Sequence, residues 1–558
     1  MKVRTRAPLQ ETTTPARLAL PRDRVAALAA LSVVASVLLA VAGGLIAAAL
    51  ALALGAGLVA WARRSSRTSF LPWLIAFSYA AHVIVLASAY LVLAELGHPG
   101  GSITGDDRAY FDLASRLAAH LHGQDVAINW SAEAYLINNY FVQLEAAVFF
   151  LIGPNGPVME VMNVAFLHAA AILVWDLTSL RFGAIPAKVS ALGVLLYPSL
   201  TVWSVLNLKD TLALLLALTV LWALTRYTVE RGARWLVVAV ATLVVLAGVR
   251  LYVFLLLALL VPLGVAVDGV VNHRFRRILP QLALTTAACG ALMAVSGSGF
   301  LGLNLFRFET LASIEEERAF LGAGTRTAID PGFRPVVAKP GDRFVVVQGA
   351  TSSASPPANT AATPTARVFV VDPSTRIVLE GSPEAAQVHD QAGHQTVVVR
   401  PNDIVVVSGA APSTSAPKAL SLGGEREPAI ELRTDDSLAP NALVGRTLTY
   451  VPIGLAYALL APFPWAIATG SDAAAMGDML VWYAVVLCAA LTVWRQRADI
   501  ARQPLLLLYP LGILAILSLV EGNVGTLFRH RAMAIPAVIV LASPTLSRWP
   551  LLRRLGGE

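Results

Sequence analysis

The sequence predicts an all-α polytopic membrane bundle with a small β-rich extracytoplasmic insertion, and three observations lead to this prediction. First, 56% of the 558 residues are hydrophobic and only 14% are charged, whereas soluble proteins carry about 25% charged residues. Second, many uncharged stretches reach the roughly 20 residues that a helix needs to cross a bilayer, which indicates about twelve transmembrane helices. Third, Lys and Arg occur in short clusters between these stretches, a pattern typical of cytoplasmic loops.

Apolar runs and basic clusters divide the chain into parts inside the membrane and on its two sides. The net charge of +7 resides in the loop clusters, so it indicates a lipid bilayer as partner and no nucleic acid. Both termini are predicted to be cytoplasmic, in a multi-pass protein of the cell membrane. The predicted parts are a cytoplasmic tail (1–24), a first transmembrane part (25–297) with an outer loop (97–135), an extracytoplasmic segment (298–446), a second transmembrane part (447–547) and a cytoplasmic tail (548–558).

The first apolar run is predicted to form a helical hairpin. It extends over residues 25–62, far beyond the roughly 7–15 residues of a signal-peptide core. The pair Gly43-Gly44 in its middle predicts a tight turn. The two predicted helices are 25–42 and 45–62.

The later spans follow from the alternation of apolar runs with cytoplasmic basic clusters. They are 70–95, 158–178, 186–204, 211–228, 235–249, 251–269, 278–297, 476–494, 504–520 and 530–547.

Two further apolar segments are not predicted to cross the membrane. Segment 136–152 contains polar side chains such as Glu145, which are costly in hydrocarbon, so an amphipathic helix at the interface is predicted. Segment 448–466 contains Pro462 and Pro464, which interrupt helical hydrogen bonding. A re-entrant or interfacial element is predicted there.

The segment 298–446 differs in composition from the membrane parts. Short β-branched runs alternate with turns such as Pro340-Gly341-Asp342, which predicts a small β domain. The runs are Phe344–Gln348, Val368–Val371, Ile377–Glu380, Thr396–Arg400 and Ile404–Ser408.

The outer loop segment GDDRAYFDLASRLAAHLHG carries the most informative polar residues. Asp106 and Asp107 follow a glycine and begin a predicted amphipathic helix. Acidic residues at this position complement the helix dipole. A carboxylate facing an outer cavity also serves as a general base. The two interpretations are compatible, because a capped acid is a well-oriented acid.

These features resemble the GT-C class of membrane glycosyltransferases, especially the bacterial branch near the protein O-mannosyl and aminoarabinose transferases, related to the dolichyl-phosphate-mannose-protein mannosyltransferases. Those enzymes have an Asp-x-x-x-Tyr-type motif in the first large outer loop, followed by an interfacial helix. Here Asp106–Tyr110 matches that motif. Further similarity lies in YPSLTVWSVLNLKD, residues 197–210, and in GNVGTLFRHR, residues 522–531. The β-rich insertion and the N-terminal hairpin are additions to the pattern.

The resemblance implies transfer of a sugar from a polyprenyl-phosphate donor to a glycan, lipid or protein acceptor at the outer face. Asp106 is then the catalytic base that deprotonates the acceptor hydroxyl, with Asp107 as its neighbour or substitute. The departing lipid phosphate needs fixed cations near the membrane surface. The implied substrate-binding residues are Tyr110, Lys209, Asp210, Arg250, Arg529, His530 and Arg531.

Each candidate also has a structural interpretation. Lys209 and Asp210 would form an interfacial ion pair, and Arg529 and Arg531 would be snorkelling side chains. A basic cluster on the outer side departs from the positive-inside trend, however, which favours function. Glu521 is predicted to pair with one of these arginines. Nearby acids permit a divalent cation, but no ligand spacing demands one, and no metal ligand is assigned.

Three other functions compete with the transferase. An O-antigen-type polysaccharide polymerase also needs outer arginines, but it would rely on cationic loops rather than on the acidic motif. A lipid or solute transporter would show charges deep within spans and inverted repeats, and few such charges and no such repeat are seen. The third competing function is a non-catalytic scaffold that presents the β-rich domain to partners in the cell envelope.

Overall fold

The computed structural model of this chain is a bundle of α-helices. It describes residues 22–66, 68–96, 104–130, 133–297, 440–466, 470–501, 504–521 and 524–553, together with five short strands between 336 and 407. Within these residues, seven helices are long and apolar enough to cross a membrane, or up to nine if each of two bent helix pairs is one span. The chain is therefore a multi-pass helical membrane bundle, as its composition predicts.

The helices of the amino-terminal part follow one another with short connections. They are α1 (Arg22–Ser65), α2 (Phe70–Glu95), α3 (Gly105–Leu121), α4 (Ala134–Ile137), α5 (Tyr140–Ile152), α6 (Gly156–Phe182), α7 (Ala184–Leu195), α8 (Pro198–Ser204), α9 (Asp210–Glu230), α10 (Arg234–Val249), α11 (Leu251–Val271) and α12 (Phe275–Gly297).

Helix α1 is broken at Gly44, where the Gly-Gly pair predicts a turn. The backbone of Gly44 has φ 77° and ψ 177°, a conformation that is essentially restricted to glycine. Gly183 has nearly the same dihedral angles, φ 89° and ψ −177°, and joins α6 directly to α7, which pack along each other. The carbonyl of Gly43 accepts a hydrogen bond from Asn155 Nδ2 at 2.8 Å, so the break lies beside the start of α6.

The carboxy-terminal part begins with α13 (Pro440–Leu460). It continues with a 3-10 turn (Pro464–Ala466), α14 (Gly470–Arg495), α15 (Arg497–Ala501), α16 (Leu505–Val520), α17 (Val524–His530), a second 3-10 turn (Arg531–Met533), α18 (Ile535–Leu546) and α19 (Pro550–Arg553).

Helix α13 ends beside the middle of α14. The hydroxyl of Tyr450 donates to the carbonyl of Glu521 at 3.2 Å, at the end of α16. Ten residues later, the carbonyl of Leu460 accepts from the hydroxyl of Tyr483 at 2.6 Å, in the interior of α14. A helix that enters at one end of the bundle and stops halfway along a neighbour fits the predicted re-entrant element.

Five short strands are described between the two helical parts: β1 (Val336–Val337), β2 (Val368–Val371), β3 (Arg376–Leu379), β4 (Thr396–Val399) and β5 (Ile404–Val407). One sheet has the order β1-β5-β2, with β2 parallel to β5, and β3 pairs with β4 in parallel. The remainder of 298–439, including the predicted run Phe344–Gln348, lies outside the described residues. The β-rich domain as a whole stays a prediction.

Helix α6 lies at the centre of the helical bundle. In its most apolar stretch, 89% of the residues are buried within the protein. The helix packs against α1, α2, α7 and α9. Polar side chains join α6 to α2, and α2 in turn to α8. Ser78 Oγ on α2 lies 3.0 Å from His168 Nε2 on α6, and His82 Nε2, also on α2, lies 3.0 Å from Thr201 Oγ1 on α8. These contacts satisfy polar groups that would be costly alone in an apolar interior.

Charged side chains mark the two ends of α9. Asp210 begins the helix, and near its other end Arg226 Nε donates to Asp176 at 2.9 Å. A helix of 21 residues is about 30 Å long, which equals the thickness of a hydrocarbon core. The candidate site described below lies at the Asp210 end of α9.

Candidate active site

Two carboxylates and two guanidinium groups form one network at this end of the bundle. Arg529 Nη1 donates to Asp106 Oδ2 at 2.6 Å, and its Nη2 and Nε donate to Asp210 Oδ2 at 2.6 and 2.8 Å. Arg250 donates to the other oxygen of Asp210. Four segments that are far apart in sequence therefore meet through ion pairs.

The start of α3 gives its two acidic residues different environments. Thr104 and Asp107 form a reciprocal capping box, in which Thr104 Oγ1 accepts from Asp107 N at 3.2 Å and Asp107 Oδ1 accepts from Thr104 N at 3.0 Å. Asp107 is only 2% exposed. The side chain of Asp106 is 56% exposed, so it is the accessible carboxylate of the two, and Asp107 fixes the helix end that carries it.

The segment before α9 is held by hydrogen bonds to its backbone. Asn163 Nδ2 donates to the carbonyls of Leu206 and Leu208 at 2.7 and 3.0 Å, while Asn163 Oδ1 accepts from Thr211 at 2.9 Å. Asn163 is fully buried in α6. These bonds fix the short stretch that delivers Asp210 to the network.

Lys209 and Tyr110 form the wall beside the network. The Lys209 ammonium lies 5.7 Å from the centre of the Tyr110 ring, a cation–π distance. The Tyr110 ring also contacts Phe141 edge-on at 5.9 Å. Burial raises the pKa of Tyr110, with the positive charge of Lys209 opposing that rise. Tyr110 is therefore neutral at neutral pH, and it is buried, with 4% of the residue exposed.

Arg250 occupies the junction between two membrane helices. Its backbone is extended, with φ −150° and ψ 100°, so α10 stops there and α11 begins at the next residue. Its Nε donates to the hydroxyl of Tyr252 at 3.0 Å. With a side chain only 5% exposed, Arg250 depends on Asp210 for charge compensation, because a buried charge is stable only when it is paired.

The structure does not bring Arg531 into this network. Arg531 is 1% exposed, donates to the carbonyl of Ala458 at 3.3 Å, and stacks on Trp482 and Phe528 at 5.3 Å from each ring centre. It anchors the turn after α17. Its side chain faces away from Arg529, so the contacts favour a supporting role over the predicted contact with substrate.

Glu521 binds His530 rather than an arginine. His530 Nδ1 and Glu521 Oε1 form a hydrogen bond, and the other oxygen of Glu521 is buried without a partner among the described residues. The His530 ring lies 6.0 Å from the ring of Tyr252. The prediction that Glu521 pairs with an arginine was wrong, since its partner is His530, the residue that follows Arg529.

Glu145, which was predicted to lie on an amphipathic helix at the membrane interface, is buried inside the protein. The side chain is fully buried, and its Oε1 accepts from Asn207 Nδ2 at 2.5 Å. Burial raises the pKa of Glu145 to about 8, opposed by the bond from Asn207. The polar residues of 136–152 thus find protein partners, a pairing that the spacing along the chain cannot reveal.

The structure brings Asp106, Asp210, Arg250 and Arg529 into direct contact and leaves Arg531 apart. Among the described ranges, no group of three or more His, Cys, Asp or Glu side chains is arranged to hold a metal ion. No model of a protein family, no curated protein and no solved structure matches this chain.

Proposed function

We propose that this chain is a membrane glycosyltransferase that moves a sugar from a polyprenyl-phosphate donor to an acceptor at the outer face of the membrane. The observation that carries the proposal is the position of Arg529 between an exposed carboxylate, Asp106, and a buried one, Asp210. This arrangement places a basic oxygen and a phosphate-binding group side by side. Glycosyl transfer from a lipid phosphate needs that combination.

The two carboxylates have separate tasks in the proposed reaction. Asp210 stays paired with Arg529 and Arg250, because its removal would leave two poorly exposed guanidinium groups without a counter-charge. Asp106 is held by a single ion pair and is largely exposed, so an incoming phosphate anion can replace it on Arg529. A guanidinium binds phosphate through two parallel hydrogen bonds. Donor binding then frees Asp106 to accept the acceptor proton.

Tyr110 and Lys209 complete the proposed donor site. Lys209 supplies a further positive charge at the start of α9, and its ammonium lies against the Tyr110 ring. Both residues are buried, at 8% and 4% exposed, so they support the phosphate end of the site from within the protein. The acceptor remains a glycan, lipid or protein with a free hydroxyl.

The finer membrane topology belongs to the same proposal. We infer twelve spans, with α1 divided at Gly44 into two and each bent pair counted as one. Helices α10 and α16 have 16 residues each and are about 24 Å long, which makes them short spans. Both termini are then cytoplasmic in the cell membrane, and the β-rich domain lies outside.

The proposal is tested by sugar transfer from radiolabelled polyprenyl-phosphate donors in membranes that contain the protein. Asp106→Asn is expected to lower the rate by about 10²–10⁴-fold, the contribution typical of a positioned base. Asp112→Asn is the matched control, since Asp112 is an exposed acid on the same helix. Equal transfer by the Asp106→Asn protein and the wild type would remove the base assignment.

Donor binding is tested separately from transfer. Arg529→Gln is expected to weaken binding of a polyprenyl phosphate at least tenfold, and Arg529→Lys to restore part of it, because lysine keeps the charge but loses the planar fork. Products that carry many repeated units would instead indicate a polysaccharide polymerase. A wild-type protein that binds no polyprenyl phosphate would refute the proposed function.

A further inference from the structure

His530 and Glu521 form a pair that the proposed reaction has not yet used. His530 directly follows Arg529, whose guanidinium is proposed to hold the donor phosphate. Glu521 is 3% exposed, and one of its oxygens bonds His530 Nδ1. Within the described part of the chain, His530 Nε2 has no hydrogen-bond partner. The ring is therefore fixed at one nitrogen and available at the other, which is the usual arrangement of a histidine that transfers protons.

The charges around the donor site show why a proton is needed there. The carboxylates of Asp106 and Asp210 balance the guanidinium groups of Arg250 and Arg529. A lipid-linked sugar phosphate carries one negative charge, and the departing lipid phosphate carries two. The second negative charge is costly in a low-dielectric site, even with the cationic side chains of Arg250, Arg529 and Lys209 nearby. A proton donor beside Arg529 would remove it.

We propose that His530, oriented by Glu521, is a general acid that protonates the departing lipid phosphate; this inference rests on the proposed function. The acceptor oxygen forms a bond to the anomeric carbon while the bond from that carbon to the phosphate oxygen breaks, and its electron pair stays on the phosphate. The acceptor proton goes to Asp106. The Nε2 proton of His530 goes to the phosphate oxygen, and the proton shared by Nδ1 and Glu521 stays between them.

The resting state is restored by solvent. Asp106 releases its proton to water, and His530 Nε2 takes one up. The charged or titratable groups that face His530 are Glu521 at the end of α16, Arg250 before α11, Tyr252 in α11, Asp210 at the start of α9 and the neighbouring Arg529.

Nuclear magnetic resonance of the full-length protein in detergent tests the inference without turnover. The chain has nine histidines, so ¹⁵N-histidine labelling gives few signals, and His530→Gln identifies the one of interest. Farnesyl phosphate serves as a short polyprenyl phosphate. At a fixed pH near 8, its addition is expected to move the Nε2 signal of His530 to the protonated, hydrogen-bonded position. In Glu521→Gln the phosphate still binds, but this protonation is lost.

The failures of the two proposals are distinguishable. Farnesyl phosphate that binds without changing the His530 signals would overturn the general-acid role and leave the transferase standing. The absence of any binding would refute both. His122→Gln is the matched control, since His122 Nε2 lies 2.9 Å from the carbonyl of Phe150, away from the network.

Transfer kinetics give a second readout. His530→Gln is expected to lower kcat by about 10²–10⁴-fold with KM changed less than threefold, and to remove the fall in rate on the alkaline side of the pH profile. A His530→Gln enzyme with a wild-type kcat and pH profile would contradict the inference.

Discussion

Replacing Asp210 with asparagine should destabilise the protein far more than the same change at Asp106. Both carboxylates bind the same guanidinium, that of Arg529, at 2.6 Å. They differ in environment, because the side chain of Asp210 is 2% exposed and that of Asp106 is 56% exposed. Asp210 also binds Arg250, so the two substitutions differ both in the burial of the carboxylate and in the number of guanidinium groups that lose their partner.

The expected magnitudes follow from the partners that each substitution leaves behind. Asp210→Asn leaves Arg250 and Arg529, with side chains 5% and 11% exposed, without their shared counter-charge. Breaking a buried pair in this way costs about 3–5 kcal/mol. Asp106→Asn removes a partly exposed ion pair, in which the guanidinium is 11% and the carboxylate 56% exposed. Exposed pairs are worth about 0.2–1 kcal/mol, so the loss should stay well below that of Asp210→Asn.

The assay is the free energy of unfolding in mixed micelles, titrated with a denaturing detergent and followed by tryptophan fluorescence. Adding Arg250→Met to Asp210→Asn should recover part of the loss, because one stranded charge is removed. If Asp210→Asn and Asp106→Asn lower the unfolding free energy equally, or if Arg250→Met deepens the loss, the charge-compensation argument is wrong.

Two further predictions concern Glu145 and Gly44. The pKa of Glu145 is raised from 4.5 to about 8 in the folded chain, so the unfolded state loses its proton first. As the pH rises between these two values, stability should fall by up to about 1.4 kcal/mol per pH unit. Glu145→Gln should make the thermal-unfolding midpoint less dependent on pH over that range. An unchanged pH dependence of the midpoint would contradict this. Gly44→Ala should cost about 1–3 kcal/mol through its positive φ alone, since no atom lies within 4 Å of the added carbon. Gly57→Ala, also free of contacts but helical, should cost nothing in the same measurement.

The gathering of the site residues at one end of the bundle could be predicted, because it depends on the order of apolar runs and basic clusters along the chain. Basic clusters place helix ends on one side or the other, and that is enough to bring Asp106, Arg250 and Arg529 to the same end of the bundle. The capping role of Asp107 also follows from local chemistry, because an acid at the third helical position reaches back to the N-cap backbone.

The direction of individual side chains could not be predicted in the same way. Arg529 and Arg531 are two residues apart, so a helical repeat of about 100° per residue turns them to nearly opposite faces, and only one of them meets Asp210. The sequence gives no means of telling which. Glu521 was equally ambiguous, since its partner depends on how α16 meets α17 in space.

Burial of polar groups by distant partners also escapes the sequence. The side chain of Glu145 would destabilise a helix exposed to lipid, but a hydrogen bond from Asn207, 62 positions away, satisfies one of its oxygens. His82 and His168 are likewise joined to side chains on other helices. Hydropathy describes each helix in isolation, whereas these contacts arise only when helices pack.

The spacing of the network residues along the chain has a consequence for biosynthesis. Asp210 and Arg250 are 40 positions apart, so a ribosome that adds about 5–20 residues per second completes this pair within roughly 2–8 s. Arg529 follows Asp210 by 319 positions, which takes roughly 16–64 s at the same speed. The early helices thus enter the bilayer with Asp210 already neutralised. A nascent chain that stalls before α17 holds the Asp210–Arg250 pair but lacks Arg529, so the four-residue network is completed only after α17 has been synthesised.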